Sequence, residues 1–369
     1  MIYLDNAATT KPNDEAVKFA LKYTEDYFNP SALYKQGIKL KSFLTEAADY
    51  ITKTIAPSGY ECVFVSCGSE ADNTAIFSSA KRGNAVTTSG EHAAVYEPFL
   101  ALKQRGVETR FATLNKDGSV NVEHLLSLVD DKTSFVSVVH VNNETGAIND
   151  VNAIAALVKK KAPKTIFHSD GVQAYGKIPF TIGDNIDYYS ISAHKIGGMK
   201  GTGALIKKKK ICLHPLIYGG GQENGMRSGT ENVFGIACFY KAAEIKYSDV
   251  VENFEKVKGL KKTFLSKLDG VTVISGENAS PYIVSLSADG LKGEVLQHIL
   301  EEKDIIAGTG SACSSRNHYS RVLKECGYSS GVLEGVLRIS FTSDTTEKEV
   351  LTAAEAINSA THNLRKIMK

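Results

Sequence analysis

The stretch Ser190-Ile191-Ser192-Ala193-His194-Lys195-Ile196-Gly197-Gly198 closes an apolar run with one lysine set among hydroxyls, a histidine and glycines. A lysine at the end of a buried strand is costly to leave without a use, and imine formation with a carbonyl cofactor is the chemistry it suits. Pyridoxal phosphate is the first candidate. The plainer reading is a lysine that solvates a strand end, so other segments must decide.

Ser66-Cys67-Gly68-Ser69-Glu70-Ala71-Asp72-Asn73 joins a strand to a helix, with Gly68 permitting close backbone approach and Ser69 offering a hydroxyl. Backbone N–H groups and the helix dipole make such a junction a phosphate cradle. It is neither a Walker A loop nor Gly-x-Gly-x-x-Gly. Its bland alternative is N-capping by Ser69 with Asp72 three residues on. His92, in Ser89-Gly90-Glu91-His92, is placed to stack on a planar cofactor or move a proton, against a structural role. Asp170, closing Phe167-His168-Ser169-Asp170, is a carboxylate that would keep a pyridinium nitrogen protonated, or else a helix cap. Cys313 stands among Gly310, Ser311, Ala312, Ser314 and Ser315, a context that suits a mobile nucleophile, whereas Cys62 and Cys238 lie among apolar residues and read as packing. Arg338, inside the apolar run Leu337-Arg338-Ile339, needs a carboxylate, supplied by an amino-acid substrate or by an internal Asp or Glu.

The elements that must position these residues are legible as a pattern. Cys62–Ser66, Ala85–Ser89, Glu108–Thr113, Ser134–His140, Thr165–Ser169, Tyr188–Ser192 and Gly203–Lys207 read as strands alternating with helical segments, the signature of a mostly parallel sheet covered by helices. Ligands of such sheets sit at the carboxyl ends of strands, which is where Gly68, His92, Asn143, Asp170, Gln173 and Lys195 fall. Beyond about residue 245 the pattern becomes a long charged helix to about Leu268, strands at Val271–Ile274 and Ile283–Ser287, a helix at Leu291–Lys303, a strand at Val336–Phe341 and a C-terminal helix. This predicts a smaller α+β domain, with the boundary inside a helix. Ser314–Gly335 reads as a polar, partly mobile loop.

At 369 residues with 43% hydrophobic content, the chain has room for about two domains. Its 43 basic and 41 acidic residues leave a net charge of +2, so no global field points to nucleic acid or membrane. The Lys207–Lys210 run reads as a solvated strand end. No stretch approaches the ~18 apolar residues of a membrane span and no leader is evident, so a cytoplasmic protein is expected. The six cysteines form no Cys-x-x-Cys pair and no short-spaced set with histidine, so neither a metal site nor a disulfide framework is expected.

Taken in order, Tyr3-Leu4-Asp5-Asn6-Ala7-Ala8-Thr9-Thr10, Ser69-Glu70-Ala71-Asp72-Asn73, Glu91-His92, His140-Val141-Asn142-Asn143-Glu144-Thr145-Gly146, Asp170-Gly171-Val172-Gln173, Ser192-Ala193-His194-Lys195, Gly219-Gly220-Gly221-Gln222-Glu223, Met226-Arg227-Ser228-Gly229-Thr230-Glu231-Asn232 and Gly310-Ser311-Ala312-Cys313 resemble the cysteine desulfurases. The resemblance spans residues 3 to about 360. It implies the type I fold of pyridoxal-phosphate transferases: a large domain over residues 12–245 with a seven-stranded, mostly parallel sheet, and a small α+β domain of residues 1–11 and 246–369 carrying the Cys313 loop.

By the same resemblance Lys195 would hold pyridoxal 5'-phosphate as an imine, with Gly68, Ser69, Ser192 and His194 at the phosphate and Thr230 reaching it from the other subunit of a homodimer. His92 would stack on the ring and handle protons, Asp170 would pair with the ring nitrogen and Gln173 would bond the phenolic oxygen. Asn143 and Arg338 would bind the carboxylate of L-cysteine. Cys313 would take its sulfur as a persulfide, leaving alanine. The Ser-Ala-Cys context resembles the group serving iron–sulfur assembly and tRNA thiolation, so the partner would be a sulfur-acceptor protein, a scaffold or a thiolation enzyme. Departures from the family pattern are Asn224 where arginine is common, Gly308-Thr309-Gly310 where serines are common, and an end at Lys369 with no counterpart of the longer tail that docks a scaffold in some members. The rival readings are a selenocysteine lyase or another class V aminotransferase, which need no nucleophilic cysteine, and a catalytically idle assembly partner.

Overall fold

Strands buried on both faces feed two cores in alternation. Val63, Val65, Ala85, Phe135, Tyr188 and Leu205 belong to one hydrophobic cluster, while their neighbours Phe64, Val86, Val136, Tyr189 and Ile206 belong to another. This is the two-residue period of a pleated strand with no solvent face. In the computed structural model, which describes residues 1–309 and 319–367, these strands form one seven-stranded sheet. Their order across the sheet is Tyr60–Val65, Gly203–Lys208, Tyr188–Ser192, Ile166–Asp170, Thr133–Ser137, Asn84–Thr88, Glu108–Ala112. Only Gly203–Lys208 runs antiparallel to its neighbours. Helices Asp14–Glu25, Lys35–Ile55, Val151–Lys161 and Val233–Ser248 pack on one face through Ala16, Leu44, Ile154 and Ile236. Gly68–Ser79 and Ala93–Gln104 cover the other through Ala71, Ala75, Val95 and Phe99. Every strand expected of this sheet is present, none displaced by more than three residues at an end.

A second, antiparallel sheet orders Gly308–Thr309, Val336–Ser340, Ile283–Ser287 and Thr272–Val273. Its Val284, Leu286, Leu337 and Ile339 pack with Val257, Phe264, Leu296 and Ile357 of helices Val250–Lys267, Gly293–Glu301 and Glu347–Ile367 in a separate core. Because Leu337 and Ile339 face that core, the strand period puts Arg338 on the opposite face. The N-terminal strand Ile2–Tyr3 pairs in parallel with Ile305–Ile306, a contact too short to carry a sequence signal.

Two local expectations are corrected. The stretch read as a loop to Gly335 contains helices Arg321–Glu325 and Ser330–Glu334, which bury Leu323 and Leu333 against Ile274 and Val336; residues 314–318 lie outside the described residues. The long charged helix expected from about residue 245 to about Leu268 is Val250–Lys267, and Asp249 separates it from helix Val233–Ser248. The Lys207–Lys210 run is solvated only at Lys209 and Lys210. Lys207 is 2% exposed and donates to Glu61 Oε1 at 2.5 Å, and Lys208 reaches Asp187 Oδ1 at 3.2 Å. Flanking strands on both sides cover this strand to its end, so each buried ammonium is paired with a carboxylate.

Candidate active site

Strand Tyr188–Ser192 passes directly into a single 3-10 turn, Ala193–Lys195, closed by Ile196 N and Gly198 N on Ala193 O. Lys195 Nζ donates to the carbonyl oxygens of Ala7 at 2.6 Å and Ala8 at 2.7 Å. The N-terminal segment that supplies these acceptors is pinned on both sides. Thr10 gives its N–H (2.9 Å) and its hydroxyl (2.8 Å) to His194 O, Gly197 N donates to Thr10 Oγ1 at 2.8 Å, and Ala7 N donates to Ser340 Oγ at 2.8 Å. The Lys195 turn, residues 6–10 and strand Val336–Ser340 are thus one hydrogen-bonded assembly. A cavity of about 530 Å³ runs along it, lined in part by Lys177, Lys195, Gly197, Lys246 and Tyr282; His92 and Asp170 are not among its walls. Lys195 thus borders this cavity, while His92 and Asp170 do not.

The phosphate cradle expected at Gly68 has the close approach it requires. A Cβ on Gly68 would lie 2.7 Å from Val172 Cγ2 and 3.6 Å from Ser192 Cβ, so the helix start is pressed against the ends of two other strand-to-loop junctions. Cys67, in extended conformation at φ −171°, is the N-cap, and no side chain caps the helix. The capping role of Ser69 is therefore not realised: Ser69 is a residue of the first turn and is exposed. Ser192 Oγ is buried without a hydrogen-bond partner. A buried hydroxyl left open beside uncapped helix amides fits an oxyanion such as phosphate. His194 lies beside them, with Nδ1 3.1 Å from Thr9 Oγ1 and its pKa drawn down to about 4 by burial and by Lys195 and other lysines, which leaves the ring neutral.

A set of buried carboxyls occupies the adjoining strand ends. Asp170 accepts from Val172 N at 2.9 Å, and burial together with the charge of Asp72 raises its pKa. Burial pushes Asp72 up to about 7 and Glu91 up to about 8. His92 and His168 offset the rise at Asp170 only in part. The His168 ring is held between Ser137 Oγ (2.8 Å) and Ser190 Oγ (2.9 Å), and burial lowers its pKa to about 4, so its 3.4 Å approach to Asp72 is a contact with a neutral imidazole. Three acids short of a cation fit a group that brings a protonated ring nitrogen to Asp170. His92 heads helix Ala93–Gln104 and accepts from Ala94 N through Nδ1 at 3.1 Å. Structural and chemical roles coincide here, because an accepting Nδ1 places the proton of the neutral ring on Nε2. Burial lowers the His92 pKa, against the opposing pull of Asp170.

Gln173 Nε2 donates to Ala7 O at 2.7 Å, the same carbonyl that Lys195 uses. Arg338 Nη1 donates to Asn143 O at 3.1 Å, and its carboxylate partner is the internal Asp5, with Nη2 to Oδ1 at 2.8 Å; its buried Nε has no partner. Gly68, Ser192, His194, Lys195, Asp170, His92, Gln173, Asn143 and Arg338 are thus tied together by backbone junctions, hydrogen bonds or mutual electrostatic shifts. Thr230 stands exposed, with no hydrogen bond to any of these among the described residues. Cys313 lies outside the described residues; of the other cysteines, Cys62 and Cys238 are buried as expected. Sequence reasoning passed over the carbonyls of Ala7 and Ala8, which have no side-chain signature, and Asp72, Glu91 and Lys177. For Lys177 a signal existed: a lone charge inside the apolar run from Ala174 to Phe180.

Residues 2–352 match the aminotransferase class-V family. The cysteine desulfurase IscS of Clostridium botulinum is 36% identical over 366 residues, taking in 95% of this chain and 91% of that one. Among solved structures, a NifS-like protein superposes with a TM-score of 0.90 at 32% identity, over 99% of both chains. SspA in complex with cysteine superposes with a TM-score of 0.82 at 26% identity, over 94% of this chain and all 100% of that one. The chain belongs to the class-V aminotransferase family, among its pyridoxal-phosphate-dependent cysteine desulfurases.

Proposed function

We propose that the protein converts L-cysteine to L-alanine and keeps the sulfur as a persulfide on Cys313, for delivery to an acceptor protein in iron–sulfur cluster assembly or tRNA thiolation. One observation carries the reading most directly: Asp170 and Ser192 end neighbouring parallel strands, one a carboxyl short of a cation and the other a hydroxyl without a partner, with Lys195 three residues further on. Bound pyridoxal phosphate supplies the electron sink that lets the substrate carbons carry charge.

The chain's own residues supply position and protons. Lys195 holds the cofactor covalently, Ser192, His194, Ser69 and the amides after Gly68 take the phosphate, Asp170 keeps the ring nitrogen protonated, and Gln173 donates to the phenolic oxygen. His92 carries its mobile proton at Nε2. Arg338, with the backbone of Asn143 fixing its plane, presents its open N–H edge to the substrate carboxylate. The Cys313 thiolate attacks the substrate sulfur; the carbon–sulfur bond breaks with its electron pair going to carbon, which takes a proton, and the sulfur remains on Cys313.

In this reading the molecule is a cytoplasmic homodimer of a large domain, residues 12–245, and a small domain, residues 1–11 and 246–369. Leu33 at 92% and Tyr218 at 80% exposure are large apolar groups left open in the single chain, as a surface awaiting a second copy would be. Among the described residues no helix is long and apolar enough to cross a membrane.

The test is to incubate the protein with L-cysteine and follow alanine, then map added sulfur by mass spectrometry. Reductant-labile sulfur on the Cys313 peptide and its loss in Cys313→Ser are expected. Sulfur on Cys67 or Cys326 instead, or full alanine formation by Cys313→Ser, would move the assignment to a lyase or aminotransferase. Cys326 is a poor rival, since burial raises its thiol to about 12.

A further inference from the structure

Lys177 is 6% exposed, and the charged groups that bear on it most, Lys195, Lys246 and Arg338, are themselves cations. Burial and this repulsion draw its pKa down to about 7. Such a group is expensive to keep inside a fold without a partner of opposite charge. Its hydrogen bond goes to Gln173 Oε1, at 3.0 Å. The other end of that carboxamide donates to Ala7 O at 2.7 Å. An ammonium is only a donor and a carbonyl only an acceptor, so the two neighbours select the same one of the two possible amide orientations.

We propose that Lys177 is a positioning residue of the active site: by donating to Gln173 Oε1 it holds the carboxamide so that its NH2 group, and not its oxygen, is turned to the Ala7–Lys195 side, where it meets the cofactor's phenolic oxygen. The inference rests on the reading of Gln173 given above and adds to it the residue that fixes which end of the amide faces the cofactor. The NH2 has two hydrogens; Ala7 O takes one, leaving one for an acceptor. Without the ammonium only Ala7 O, which Lys195 Nζ also uses, still selects this orientation, so the amide is held less firmly, and an oxygen facing the phenolic oxygen would repel it.

The experiment compares the cofactor-loaded parent with Lys177→Met, Lys177→Arg, Gln173→Ala and the double variant Lys177→Met/Gln173→Ala. The readout is the pH midpoint of the cofactor's visible absorption band, taken without substrate. Gln173→Ala and Lys177→Met are expected to move the midpoint in the same direction by about one pH unit, tenfold in the ionisation constant, the scale of one lost hydrogen bond to a charged group. The double variant should match Gln173→Ala, because Lys177 acts through it, and Lys177→Arg should keep the parental midpoint. An unmoved midpoint in Lys177→Met beside a shifted Gln173→Ala, or shifts that add in full, overturns the proposal. If Lys177→Met does not fold, Lys177→Arg decides: a midpoint like that of Gln173→Ala overturns it. An unmoved midpoint in Gln173→Ala instead sinks the reading of Gln173 itself.

Discussion

Asp5 and Arg338 are joined at 2.8 Å, Oδ1 to Nη2, although 333 residues separate them in the chain. The pair brings the N-terminal segment onto the strand that carries the arginine. It also fixes the guanidinium with Nη1 on Asn143 O and Nε open. Space is kept there by Gly308, whose added Cβ would lie 2.7 Å from Asp5 Oδ1 and 3.3 Å from Arg338 Nε.

Arg338 can thus receive a substrate carboxylate on the edge formed by Nε and the second Nη2 hydrogen. Lysine offers charge without that planar fork. Arg338→Lys should raise KM for cysteine by roughly 10-fold or more, with a smaller change in kcat, because the lost contact holds the substrate in ground and transition states alike. Initial rates of alanine formation measure it; an unchanged KM would remove Arg338 from the substrate site.

Asp170→Asn keeps the shape and the acceptor for Val172 N but takes away the charge that would hold a proton on the ring nitrogen. The rate should fall by about 10²-fold, the scale of one lost preorganised electrostatic contact. The cofactor should still be retained through Lys195. Parental turnover in this variant would show that the carboxyl is only a turn-forming residue.

Glu91 yields a prediction about stability and pH. Its carboxyl titrates at about 8 in the fold, raised by burial from 4.5. Between those values the folded chain holds a proton the unfolded chain has released, so stability falls as pH rises through this window and the loss is complete above it. Glu91→Gln keeps an oxygen to accept from Thr88 Oγ1 and Val139 N, and it never has to ionise. The cofactor-free variant should gain on the parent as pH goes from 5 to 8, by on the order of 1–3 kcal/mol at the upper end. Urea denaturation at both pH values checks this. Parallel stability profiles would mean that Glu91 stays ionised.

The strand ends explain why so much of this site was legible in the sequence. Asp170, Ser192 and Lys195 follow apolar runs whose alternating burial defines a parallel sheet, and a polar residue just past such a run has one place to go. The alternative of a cap at Ser69 could not be weighed from the sequence, because a cap depends on which residue leaves the helical conformation first, and the extended Cys67 takes that position. It misread Lys207 because a charge at a strand end looks solvated until a neighbouring strand is known to bring Glu61 beside it. The hold of Ala7 and Ala8 on Lys195 was invisible for a simpler reason: it is made by main-chain oxygens, which every sequence possesses. Lys177 was passed over although it is a lone charge in the apolar run from Ala174 to Phe180, because a lysine after Gly176 also reads as a surface turn.

Thr230 is exposed and makes no hydrogen bond to the site of its own chain among the described residues, yet its loop is firmly built. Arg227 pairs with Glu70 at 2.9 and 3.2 Å and Gly229 N donates to Gln222 Oε1 at 2.9 Å, so the exposed threonine is presented on an ordered support. If that support delivers Thr230 to the phosphate of a second subunit, each active site is made of Lys195 from one chain and Thr230 from the other. Lys195→Ala and Thr230→Ala chains would each be impaired alone. In a hybrid dimer one site receives both altered residues and the other receives neither, so the second is intact. Random exchange makes half the dimers hybrids, each with one good site of two, and activity should recover to about one quarter of the parental value. Tagged subunits and sedimentation establish that exchange has occurred. Recovery no greater than the sum of the separate variants, with exchange demonstrated, would place Thr230 outside the partner's site, and a monomer at assay concentration would dismiss the shared site altogether.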